Sequence, residues 1–390
     1  MPPHPDPLPR ARGRGGPPFG RLGGFYFFYF AYLGTFAPFF SLYLESVGLT
    51  AFDIGMVMAL PAVTRIIAPH LWSWLADRTS APVRVVRWTG VAGTLVFLCI
   101  FAGTQLALIV ATIFAMTFFW SAALPLIEAT TLSHLGDETA RYGAVRVWGS
   151  IGFIAAVIGV GHLLDHVALA AVPVLVLAVM IGMLGYAFLI PEPRVSHQVH
   201  ETTLGRVLFS PQALALIGAG ACMAAAHGPY YTFFSIHLVG AGYSKAATGW
   251  LWALGVACEI AIFAWMPRLF RAFSMRSILI ASFALAVVRF LAIGWLAGSF
   301  AALLLAQVLH AATFGAYHAA SIGYVHRLFR GRLQARGQAV YGSFAFGIGG
   351  ALGGFFSGYA WDAWGAAVTF SLGAACALAG MLILVWKLER

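Results

Sequence analysis

The chain has 390 residues, 61% of them hydrophobic and only 9% charged, with a mean hydropathy of +0.86 and a formal net charge of +10. A soluble domain carries about 25% charged residues, so this chain lacks the polar surface to enclose a water-soluble core. Its basic residues stand in short clusters between long apolar stretches, unlike the continuous basic face of a nucleic-acid binder. The composition therefore excludes soluble-enzyme and nucleic-acid readings and makes the bilayer the solvent. The four cysteines, Cys99, Cys222, Cys258 and Cys376, all fall inside apolar stretches and read as small core residues rather than a disulfide framework.

In chain order, residues 1–20 are rich in Pro, Gly and Arg and read as a disordered tail. A window of about 20 apolar residues then predicts twelve spans: 22–44, 54–76, 83–104, 106–133, 143–164, 168–190, 211–239, 246–267, 274–297, 300–326, 338–360 and 365–386. The first span is followed by no small-residue cleavage site and reads as a retained helix. The longest polar interval, 191–210, divides six spans from six and reads as a linker between bundles 21–190 and 211–390. The expected class is an all-α membrane protein. Of the 23 Lys and Arg, three lie deep inside spans (Arg65, Arg146 and Arg289), Lys245 lies in an odd-numbered loop, and the other 19 lie on the side of the tails and even-numbered loops. By the positive-inside rule both termini are expected to be cytoplasmic.

The halves repeat. At an offset of 194, Phe39, Phe40, Ser41, Leu44 and Gly48 recur as Phe233, Phe234, Ser235, Leu238 and Gly242, and Gly55 recurs as Gly249. The register holds across a loop without gaps. Six-plus-six parallel repeats place a substrate site near the midplane between the halves.

RIIAPHLWSWLADR at 65–78 resembles the second helix and loop of the major facilitator superfamily, with Leu75, Ala76, Asp77, Arg78 and Arg84 in place and Ser73 and Ser80 where that loop usually has Gly. RYGAVRVWGSIGF (141–153), HGPYYTFFSIHL (227–238) and the Gly-rich run 331–354 are similar to the phenylpropionate permease branch of that superfamily. The resemblance covers about 21–390. It implies a proton-coupled importer of a small aromatic carboxylate in a bacterial inner membrane, with Asp77, Arg78 and Arg84 at a cytoplasmic gate. Close branches move sugars and nucleosides, so a proton-coupled sugar or nucleoside permease, or a multidrug exporter, is the alternative. The lactose permease is a more distant relative. By that resemblance, Glu128 and Arg146 bind substrate, and Glu259, Arg289 and His310 couple protons. Thr313 stands where that permease has a second proton-carrying Glu.

Five charges stand at membrane depth: Arg65, Glu128, Arg146, Glu259 and Arg289. Each costs at least ~2.5–3.5 kcal/mol at a helix centre, so they are expected to line a cavity or pair with one another. Structural ion pairs are the alternative. If the resemblance carries over as Glu128 with Arg146 and Glu259 with Arg289, Arg65 is left to take an anionic substrate bidentately. Trp252 lies seven residues before Glu259 and Trp72 seven after Arg65, offering aromatic surface on the same faces. Thr117, Ser121, Glu128 and Thr131 share a face at near-heptad spacing. Gly349, Gly350, Gly353, Gly354 and Gly358 allow close helix approach, read equally as static packing or a sliding contact. No H-E-x-x-H, G-x-S-x-G or P-loop pattern is present. The chain is thus expected not to be an enzyme and to need no cofactor or metal. Its expected partners are a small-molecule substrate, protons and the lipid bilayer around a monomer.

Overall fold

The computed structural model describes residues 18–136, 138–193 and 205–388. The expected tail falls outside these residues up to position 17, as does the middle of the expected linker, 194–204. The described residues are helical throughout, with no strand.

The membrane helices are α1 (Phe19–Ser46), α2 (Ala51–Thr79), α3 (Pro82–Ala102), α4 (Leu106–Leu135), α5 (Tyr142–Leu164), α6 (Leu169–Leu189), α7 (Pro211–Gly240), α8 (Lys245–Ala272), α9 (Met275–Trp295) and α10 (Phe300–Leu328). One further helical run, Arg336–Lys387, has 52 residues. Straight, it would be about 78 Å long, far beyond a hydrocarbon core of about 30 Å. It is broken at Gly365, whose φ of 75° and ψ of −176° belong to glycine. The run is therefore two spans, α11 (336–364) and α12 (366–387), and the membrane spans among the described residues number twelve. An even number brings Phe19 and Lys387 to one side of the molecule, here the terminal side. The short connections after α1, α5, α7 and α11 lie on the opposite, far side.

Burial sorts the helices. In α1, 72% of the apolar window is buried, against 28% in α5, which puts α1 at the centre of its bundle. Of its eleven aromatics between Phe25 and Tyr43, eight are buried: Phe25, Tyr26, Tyr29, Tyr32, Phe36, Phe39, Phe40 and Tyr43. They stack on one another and on Trp120 of α4, with Tyr32 and Trp120 centroids 4.5 Å apart. This aromatic richness serves helix packing rather than lipid contact.

The two bundles meet where α2 packs on α11, α5 on α8 and α1 on α7. The glycines of α11 fall into two rows. A Cβ on Gly353 would lie 2.5 Å from the Ala225 carbonyl oxygen, and one on Gly349 would strike Ala221, both in α7 of the same bundle. A Cβ on Gly350 would meet Ala62 at 3.3 Å, one on Gly354 would meet Ala59 at 3.3 Å, and one on Gly358 would meet the Ala51 carbonyl at 2.6 Å, all in α2 of the other bundle. One row is thus packing within a bundle and the other is the contact between bundles. Gly353→Val is expected to destabilise the fold by about 1–3 kcal/mol through overpacking, read as a lower melting temperature in detergent. Gly354→Val should leave that temperature near the parent's and instead disturb the contact between the bundles, read as a change in cross-linking between α2 and α11. The opposite pattern would reverse the assignment of the rows.

Candidate substrate and coupling site

In the first bundle, α4 is interrupted at Ser121 and Ala122. Glu128 lies on its second half and Arg146 one turn into α5. Glu128 Oε1 is 3.8 Å from Arg146 Nε and accepts from the Tyr142 hydroxyl at 3.4 Å. The Arg146 guanidinium lies 4.1 Å from the Phe30 ring centre and 5.5 Å from that of Tyr26, whose hydroxyl bonds Thr131 Oγ1 at 3.1 Å. The Glu128 and Arg146 side chains are 38% and 29% exposed. So long and wet an ion pair is worth at most about 1 kcal/mol and leaves both groups open to a ligand.

The hydroxyls on the expected polar face of α4 are partly engaged by their own helix. The Thr117 hydroxyl donates to the Ile113 carbonyl at 2.8 Å, and that of Ser121 to Phe118 at 2.8 Å. These hydroxyls serve their own backbone, while Glu128, beyond the interruption at Ser121, lies against Arg146.

Arg65 is exposed. No carboxylate among the described residues lies within 4 Å of it. Tyr29 of the first bundle and Tyr231 of the second both lie within its electrostatic range. Trp72 does not stand beside it: the indole Nε1 donates to the Phe118 carbonyl at 2.8 Å and the ring packs on Phe118 and Phe119.

The second bundle holds a drier cluster. His310 Nε2 is 2.6 Å from Glu259 Oε1, the two side chains 5% and 15% exposed. The contact needs at least one proton shared by the pair. Arg289 is fully buried and does not pair with Glu259, as the resemblance implied. Its Nε donates to the Ala306 carbonyl at 3.0 Å, and its Nη1 lies 3.3 Å from His227 Nε2 and 3.4 Å from Thr313 Oγ1. The Tyr230 ring centre lies 4.2 Å from the guanidinium carbon, and Nη2 has no partner. His227 Nδ1 donates to the Met223 carbonyl at 2.9 Å, which leaves Nε2 as the acceptor that Arg289 requires. A guanidinium is thus held by neutral acceptors while the neighbouring carboxylate sits on a histidine.

The helices are irregular where this cluster forms. α7 breaks at His227, just before Pro229, which has no N–H to continue the ladder. α10 turns to π-helix over Ala311–Ala316, immediately after His310 and around Thr313. Such bulges gather at functional sites. Trp252, on α8, is buried at 3% exposure. Its Nε1 donates to Ser235 Oγ at 3.1 Å, and its ring lies 4.6 Å from Tyr230 and 6.5 Å from Phe153 of the opposite bundle.

Residues 19–372 match the MFS_1 like family. The chain belongs to that family of major facilitator transporters. It is 31% identical over 347 residues to a protein of Escherichia coli (strain K12) named a probable 3-phenylpropionic acid transporter, covering 86% of this chain and 89% of that one. It is 26% identical to a maltose permease of Geobacillus stearothermophilus, covering 94% and 93% of the two. The crystal structure of the nucleoside transporter NupG superposes with a TM-score of 0.82 at 14% identity, over 95% of this chain and 99% of that one. The relatives are transporters and not enzymes.

In this transporter the residues expected at the gate stand on the terminal side. Asp77 and Arg78 are exposed, and Asp77 makes no ion pair among the described residues. The Arg78 guanidinium lies 5.5 Å from the Trp74 ring centre. Arg84 is in the first turn of α3, whose N-terminus is capped within the bundle: the N–H groups of Val83 and Arg84 donate to Glu192 at 3.0 and 2.6 Å. Sequence reasoning gave little weight to His227 and missed Phe30 and Tyr142 around the first pair and, around the second, Tyr230, whose hydroxyl donates to Gln307 Oε1 at 2.9 Å. The signal present was HGPYYTFFSIHL, where a histidine stands just before a helix-breaking proline.

Proposed function

We propose that this transporter imports a small aromatic carboxylate together with a proton, by alternating access. Arg65 carries the reading: it is an exposed cation at membrane depth, has no carboxylate within 4 Å among the described residues, and lies within electrostatic range of Tyr29 and Tyr231. An unpaired intramembrane charge is costly, and a substrate carboxylate relieves that cost through a bidentate contact while its ring lies against the tyrosines. The likeness to a named 3-phenylpropionic acid transporter supports the same substrate class.

Glu128 and Arg146 hold the polar end of the substrate from the first bundle, with Trp252 behind the aromatic wall. Glu259 and His310 carry the proton, and Arg289 receives Glu259 when it leaves His310. Both termini are cytoplasmic in a bacterial inner membrane, and the protein works as a monomer. Asp77, Arg78 and Arg84 close the terminal side in the alternate state. The present conformer has the far side shut, through α2 on α11 and α5 on α8, and Asp77 unengaged.

The test is uptake into proteoliposomes with an imposed pH gradient, using labelled 3-phenylpropionate, maltose and a nucleoside. Saturable accumulation of the aromatic acid alone is expected. Because an anion and a proton cross together, a potassium-diffusion potential should leave the rate unchanged. Accumulation of maltose or the nucleoside instead, the pattern of the other relatives, would replace the substrate assignment.

A further inference from the structure

We infer that Asp165 and Asp362 are a pair of latches that hold the far side of the transporter shut, each reaching from one bundle to cap a helix of the other. Asp165 follows α5 and accepts from the N–H groups of Lys245 and Ala246 at 2.8 and 3.1 Å, the first two residues of α8. Asp362, in the last turn of α11, accepts from the N–H groups of Ala51 and Phe52 at 3.2 and 2.7 Å, the first two residues of α2. Ala51 and Phe52 become Lys245 and Ala246 at the repeat offset of 194, so the two contacts are counterparts.

The local chemistry is also duplicated. A helix start leaves its first N–H groups without partners in the helix. Thr50 and Ser244, again 194 apart, each cap the third N–H of their own helix, that of Asp53 and that of Ala247. The first two N–H groups are left for a carboxylate from the other bundle, which the helix dipole also favours. Four residues before each aspartate stands a glycine, Gly161 before Asp165 and Gly358 before Asp362. A Cβ on Gly161 would lie 2.6 Å from the Lys245 carbonyl, and one on Gly358 would lie 2.6 Å from that of Ala51. The glycine admits the backbone of the opposite helix, and the aspartate one turn later reaches its end. The pattern G-x-x-x-D, GHLLD at 161–165 and GYAWD at 358–362, is therefore a docking unit used twice.

Burial alone would raise the Asp165 carboxyl, but the N–H groups of Ala246 and Lys245, the Ser244 hydroxyl and the Lys245 charge outweigh it and hold the group below the usual carboxylate range. Both aspartates are exposed, so water can replace the N–H contacts when the bundles part. That makes the closure reversible, which a gate crossed in every cycle requires.

The inference rests on alternating access but not on the substrate or on protons, so its test is a distance measurement. In a cysteine-free background, spin labels at Val167 and Ala241 report the far side, and labels at Thr79 and Arg330 the terminal side. Asp165→Ala and Asp362→Ala should each raise the far-open population about fivefold, as expected for loss of one N-cap. Together they should raise it about twenty-five-fold, since the sites sit on separate interfaces. Asp→Asn variants, which keep an acceptor oxygen, should fall between. The terminal-side distance should shorten as the far side opens. A double variant with the parent's far-side distances would overturn the latch, as would lengthening on both sides, which is general loosening. A parent fixed at one distance on both sides, with and without ligand, would overturn alternating access and the latch with it.

Discussion

Glu259→Gln should abolish accumulation against a gradient while leaving exchange between equal pools within about twofold of the parent. Uphill transport needs a group that binds a proton in one state and gives it up in the other. Glu259 touches His310 at 2.6 Å in this conformer, and Arg289 is fully buried with one nitrogen unpartnered. Moving the carboxylate from the histidine to the guanidinium changes its proton affinity, because a cation beside it favours the ionised form. One proton per substrate lets a gradient of one pH unit support about tenfold accumulation, since a unit is worth ~1.4 kcal/mol. In the Gln variant that ratio should fall to about one. Glu128→Gln should instead slow both accumulation and exchange, because Glu128 and Arg146 are partly exposed and are proposed to hold the substrate. If the Glu259→Gln protein still concentrated substrate when a pH gradient was imposed, the proton would have to travel by His310 alone.

The second large effect is expected at Arg65. Arg65→Ala removes two charge-assisted hydrogen bonds to a carboxylate, about 3 kcal/mol, and should raise the KM for the aromatic acid about a hundredfold. Arg65→Lys keeps the charge and loses the fork, and should raise it about tenfold. The alcohol with the same ring and chain, which has no carboxylate, should inhibit parent and variants alike. Competition binding in detergent reads all three without depending on a proton gradient. An unchanged affinity for the acid in Arg65→Ala would place the carboxylate elsewhere, and the first place to look would be Arg146, which is partly exposed and stacked on Phe30.

The legible part of the fold came from two properties that need no tertiary information. Apolar runs of about 20 residues must be helices in lipid, since every backbone polar group has to be satisfied within its own segment. That reasoning yields twelve spans, including the division between α11 and α12, where one continuous helical run bends at Gly365. The repeat at offset 194 was equally plain, and it matches the counterpart helix starts at Ala51 and Lys245. Buried charges were visible for the same reason: the cost of a charge in hydrocarbon makes Arg65, Glu128, Arg146, Glu259 and Arg289 conspicuous.

Which charge meets which was a different matter. Partner choice depends on helix rotation, and rotation is set by local breaks: the interruption at Ser121, the kink at His227 before Pro229 and the π-helical turn after His310. A shift of one residue turns a side chain by about 100° on a helix with 3.6 residues per turn, so periodic spacing counted through such a break points to the wrong face. Thr117 and Ser121 bond their own carbonyls, Trp72 packs within its bundle, and Glu259 sits on His310 while Arg289 rests on His227 and Thr313. The sorting of the α11 glycines into one row within a bundle and one between bundles had the same origin. The sequence by itself determined the number of helices, the repeat and the residues whose charge demands an explanation, because these follow from the cost of polar groups in lipid. Only the tertiary structure decided the pairing of those residues, because that depends on the angle at which each helix is turned toward its neighbour.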